Sequence, residues 1–165
     1  MNNHLTLLQS LQNQPKNKGE TPHFSDMDVI SAQATLMEAG SLTFKAIKSG
    51  EISGILAGLV ALAYAALQAL AAQDQDILEN SGENQPVYQM LEIMRLISEK
   101  VHDCSSGQAE HYSELYYLCS HLATDFLNAD FEKAIQVYHE WNKVRQVVGD
   151  HQKTNLPDLT DCLYE

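Results

Sequence analysis

Residues 55–72, ILAGLVALAYAALQALAA, carry no charge and one strongly polar side chain, Gln68. A helix that is apolar on every side cannot face water, so the rest of the fold must surround it. Eighteen such residues reach the lower limit for crossing a bilayer. Against that reading, the segment is alanine-rich and only mildly hydrophobic. It also lacks basic flanks and an aromatic belt, and it runs into Gln73-Asp74-Gln75-Asp76. The expected place for this helix is therefore the centre of a multi-helix or dimeric core, with no membrane partner.

The remaining chain is consistent with such a core. Hydrophobic residues make up 44% and charged residues 19% of 165 positions, a globular balance in a length that suits one domain. Four prolines and eight glycines leave long uninterrupted stretches. Apolar residues recur at helical spacing, so the fold class is all-α. The net charge is −12 and is unevenly spread. Residues 1–50 hold four basic and four acidic side chains, whereas residues 51–165 hold six and eighteen. Such a surface repels nucleic-acid backbones, and no nucleic-acid partner is expected. The three cysteines, Cys104, Cys119 and Cys162, form no CxxC pair, and no signal peptide is legible. Reduced thiols in a cytoplasm follow as the default, although a Cys104–Cys119 bridge stays conceivable.

Local signals divide the chain into three parts. Residues 1–25 read as a mobile N-terminal segment, with a short or frayed helix around Leu5, Leu7, Leu8 and Leu11. Residues 26–148 read as the helical domain. Ser25 or Asp26 caps a first main helix that runs to about Lys48, and Ser49-Gly50 ends it. Gly40, near its middle, costs roughly 1 kcal/mol relative to alanine unless close packing requires it. The uncharged helix follows after a break so short that the two must form an antiparallel hairpin. Along it, Gly54, Ala57, Gly58 and Ala61 make a small-residue face that lets another backbone approach closely. A third helix is predicted from Pro86 to about His102, a fourth from Gln108 to Leu127 and a fifth from Phe131 to about Val147. Residues 149–165 read as a polar, loosely held tail.

Three pieces of the hairpin carry a family resemblance. They are Leu36-Met37-Glu38-Ala39-Gly40, then Ala46-Ile47-Lys48-Ser49-Gly50-Glu51, then Ile55-Leu56-Ala57-Gly58-Leu59-Val60-Ala61-Leu62-Ala63-Tyr64. Together with Asp74-Gln75-Asp76 they resemble the all-α nucleoside triphosphate pyrophosphohydrolases, the MazG-like group, over about 45 residues. The resemblance implies a MazG-like bundle, and a homodimer or larger is expected because one hairpin cannot cover the uncharged helix alone. It also implies four acids, E-x-x-E on one helix and E-x-x-D on the next, gripping Mg²⁺ across the hairpin. Magnesium takes hard oxygen ligands and bridges to substrate phosphates while a water attacks, which leaves a monophosphate and pyrophosphate. Here only Glu38 matches. Ser41 stands at the second glutamate, and Gly58 and Ala61 stand at the second helix's acids. Lys45 and Lys48 are then candidates to meet nucleotide phosphates, and Tyr64 falls near the family's base or ribose position.

Two pairs lie elsewhere at i, i+4 spacing, Glu110 with Glu114 and His121 with Asp125, and each has the spacing of a metal pair; their plain reading is a solvated helix face with a capping histidine. Two functions are thus expected from the sequence. One is a pyrophosphohydrolase-like protein whose catalysis is weak or lost because its Mg²⁺ site is degenerate. The other is a non-catalytic helical binding or assembly protein that keeps only the fold.

Overall fold

The computed structural model describes residues 3–12, 24–78, 89–148 and 156–164. Six α-helices follow in order: α1 (Asn3–Gln12), α2 (Asp26–Ser49), α3 (Ile52–Ala72), α4 (Met90–Asp103), α5 (Ala109–His121) and α6 (Phe131–Val148). Among the described residues there is no β-strand, and the fold is all-helical. The Pro86 start expected for the third helix lies outside the described residues.

Helix boundaries follow local chemistry. At the head of α2, the Ser25 hydroxyl accepts the Asp28 N–H at 3.2 Å and the Asp28 carboxylate accepts the Ser25 N–H at 2.8 Å. This reciprocal capping satisfies two backbone donors that the first helical turn leaves open. At the other end Gly50 adopts the left-handed conformation at φ 73°, and Glu51 N–H donates to the Ala46 carbonyl at 3.1 Å. That six-residue closure both ends α2 and reverses the chain into α3.

The α2–α3 hairpin closes on its smallest side chains. A Cβ built on Gly54 would lie 3.1 Å from the Ala46 Cβ, and one built on Gly58 would lie 2.8 Å from the Thr43 Cα. The two pairs run in opposite directions along the helices, which fixes the antiparallel sense. The small-residue face is thus consumed within the chain, against α2. Thr43 is fully buried at this crossing, and its hydroxyl donates to the Ala39 carbonyl at 2.8 Å, so it adds no unsatisfied polar group.

Helix α3 is the hub, with α1, α2, α5 and α6 all packed against it. From Ile55 to Ala71 every side chain except Gln68 is buried. Leu56, Leu59, Leu62, Leu67 and Leu70 are shielded almost completely, each worth about 1.5–3 kcal/mol of transfer free energy. The helix is long and apolar enough to cross a membrane, yet most of it lies inside its own chain. Its coverage removes the reason for invoking a second subunit: the sequence argument counted only the hairpin, whereas α1, α5 and α6 complete the enclosure.

Both ends of the chain take part. Residues 1–25 read as a mobile segment, but within them α1 buries Leu7, Leu8 and Leu11 against the core. Residues 13–23 lie outside the described residues. At the far end, the polar tail also departs from its expected looseness. Leu159 and Cys162 are buried, Asp130 N–H donates to the Cys162 carbonyl at 2.8 Å, and Tyr164 N–H donates to the Asn128 carbonyl at 3.0 Å. These bonds hold the tail on the corner between α5 and α6. There α5 widens into a π-helical turn (Leu122–Phe126), closed by Leu127 N–H to the Leu122 carbonyl at 3.1 Å, and Asn128 turns left-handed at φ 52°.

Gly58→Ala places a methyl group against the Thr43 backbone, which cannot rotate away. The expected loss is about 1–3 kcal/mol of unfolding free energy, read as a lower urea midpoint at unchanged slope.

Candidate functional site

The hairpin interior, where the resemblance places a metal, is filled. Gly58 meets Thr43 there, and Ala61 is buried. Glu38 and Ser41 lie on the exposed side of α2. Glu38 therefore has no second carboxylate facing it across the crossing, and the described residues contain no group of three or more His, Cys, Asp or Glu side chains able to hold a metal. Those residues do not fit the Mg²⁺ cage, because a hard cation needs several converging oxygens.

The pairs read elsewhere are committed to other contacts. The Glu114 carboxylate accepts a 2.9 Å bond from Lys100, and this bond pushes the Lys100 pKa up. His121 and Asp125 lie 2.8 Å apart as a local pair. All three cysteines are free and buried, so no Cys104–Cys119 bridge is present. Burial pushes the Cys104 thiol up to about 12, which keeps it protonated and poorly nucleophilic near neutrality.

Tyr64 is a core residue facing α6. It is 3% exposed, its ring centroid lies 5.0 Å from that of Tyr138, and its hydroxyl is 2.7 Å from His139 Nδ1. Asn142 adds a longer 3.5 Å hydrogen bond to the same hydroxyl. Burial holds the His139 pKa below its ordinary value of 6.5, and Lys143 pushes the same way while Glu140 opposes. The shift favours the neutral imidazole, and the Tyr64–His139 pair is a satisfied polar contact inside the core.

Lys45 and Lys48 lead to a different place. Both line a groove of about 870 Å³ between α2 and α4. Its floor is apolar: Leu36, Gly40, Phe44 and Ile47 from α2, with Ile97 and Val101 from α4. Met37 and Met94 flank it, and Met37 is 61% exposed. The polar rim consists of Ser41, Ser98, His102 and the two lysines, with no acidic side chain among the described lining residues. The walls are antiparallel: the Gln33 side-chain amide donates to the Val101 carbonyl at 2.8 Å, and the Gly107 turn after α4 lies against Val29 near the start of α2. His102 and the lysines consequently stand at opposite ends.

Gly40 explains the depth. It is buried in the middle of a 24-residue helix, yet a Cβ added there would meet no atom of the described residues within 4 Å. The close packing that would justify its cost occurs at Gly58. At Gly40 the missing side chain leaves space in the groove. Sequence reasoning flagged Gly40, Lys45 and Lys48 one by one. It missed Met94, Ile97 and His102, because only the pairing of α4 with α2 brings them to the same surface.

Two outcomes follow. Gly40→Ala should raise stability by about 0.5–1 kcal/mol in urea unfolding, since it restores helix propensity without a clash. For His139, the folded pKa is depressed, so the unfolded chain takes up the proton first. Stability present above about pH 6.5 is therefore lost as pH falls through the folded value. His139→Gln should flatten the curve of urea midpoint against pH below about pH 6.5. An unchanged curve would assign the acid loss to carboxylates instead.

Comparison with protein-family models, with curated proteins and with solved structures finds no match to this chain.

Proposed function

We propose that this chain is a non-catalytic helical binding protein that uses a pyrophosphohydrolase-like hairpin as scaffold and the α2–α4 groove as its binding site. The observation that carries this reading is the contact of Gly58 with Thr43. A carboxylate introduced at position 58 would have to displace the α2 backbone, so the hairpin is built for close apposition and has no room for a caged cation. The MazG-like relation rests on the hairpin motifs alone. A cytoplasmic setting remains part of the proposal, supported by the free thiols. A nucleotide is disfavoured as ligand, because Tyr64 packs on α6 while Lys45 and Lys48 line a groove on the α4 side of α2.

The groove has the character of a ligand site: concave, mostly apolar, with a few polar groups at its edge. The test is direct. Purified protein in millimolar Mg²⁺ or Mn²⁺ is expected to release no pyrophosphate above a protein-free blank from any common ribo- or deoxyribonucleoside triphosphate. Release that disappears in Glu38→Gln would return the chain to the hydrolases.

A further inference from the structure

We propose that the α2–α4 groove binds a single-chain anionic amphiphile, a carboxylate or phosphate head on an alkyl tail. This deepens the binding-protein reading and rests on it. The tail is placed by the apolar lining, where Phe44, Ile47, Met37 and Met94 offer partly exposed carbon over the buried Leu36 and Ile97, and Gly40 leaves open space. An α-helix keeps a buried glycine at its centre at a cost, and here no described backbone or side chain requires it. The vacancy makes the groove deep enough to take a chain of methylenes out of water, which is the main driving force for such a ligand.

The head is placed by charge. In a chain of net charge −12, the described lining of this groove contains Lys45, Lys48 and no acidic side chain. Both lysines sit near the C-terminal end of α2, so an anion there meets two ammonium groups at one end of an apolar trough. A cationic head would instead meet two like charges. The volume of about 870 Å³ lies within the range of roughly 300–1,000 Å³ usual for small-ligand sites, which favours a small amphiphile over a protein helix. Met37 and Met94 flank the trough with flexible, polarizable side chains that adapt to tails of different length.

Calorimetric titration of the full chain with dodecanoate and with dodecyl phosphate, each kept below its micelle concentration, tests this. Dodecyltrimethylammonium and inorganic phosphate serve as the charge and tail controls. Both anionic amphiphiles are expected to bind at one site per chain, and at least tenfold tighter than either control. Lys45→Gln with Lys48→Gln should weaken them at least tenfold. Gly40→Leu should abolish binding while helical circular dichroism is kept. Ser98→Trp, which closes the exposed rim, gives the same readout if Gly40→Leu fails to fold. Equal binding of the ammonium amphiphile, equal binding of inorganic phosphate, or full binding by a folded blocked variant would overturn the proposal. So would no binding by the unaltered chain, which would leave a partner helix as the occupant. Nucleotide hydrolysis assayed on the same preparation separates this failure from failure of the binding-protein reading.

Discussion

An uncharged helix has to be enclosed on all sides, and the architecture follows from that requirement. Each neighbour of α3 contributes a different form of closure. Helix α2 comes closest, through glycine and threonine; α5 and α6 bring aromatic and aliphatic side chains, including Tyr112, Leu115 and Ile135. Helix α1 covers a further strip with leucines. Removing any one of these would expose carbon that nothing else in the described chain covers. The hairpin crossing is the tightest element, because backbone rather than a flexible side chain sets the limit there.

The same crossing decides the chemistry. A site for a divalent cation in a helical hairpin needs separation between the helices and several oxygen donors in the gap. This hairpin has neither, since Gly58 draws the helices together and Thr43 fills what remains. Closing the interior moves any interaction with small molecules outward, to the side of α2 that α4 covers only in part. Two glycines eighteen residues apart thus act in opposite ways. Gly58 allows contact, whereas Gly40 keeps space.

Much of this was legible where local chemistry decides. Ser25 and Gly50 marked the ends of α2, and Gly54 with Gly58 announced a close approach. The uncharged run identified the central helix. Features that depend on distant partners were not legible. Leu7, Leu8 and Leu11 form too short a patch to show that they dock on α3, and Leu159 and Cys162 are apolar points in a polar tail. The π-helical turn after His121 fits a corner that the tail completes from more than thirty residues away. Of the site, the lysines and Gly40 could be noted singly, but their common surface exists only once α4 lies antiparallel beside α2. Acid spacing alone suggested metal pairs; the structure pairs Glu114 with a lysine instead.

The enclosure of α3 also constrains how such a chain can change over generations. A residue that touches several helices at once cannot alter its volume without adjustments in each of them, so the permitted drift there is narrow and correlated. Outward-facing positions on α2, α4 and α6 away from the groove carry no such restriction. Descendants of a common ancestor would keep a brief rhythm of small and branched side chains and lose nearly everything around it. Kinship in a fold of this kind is therefore recorded in the sizes of side chains along one helix, a signal far shorter than the molecule it specifies.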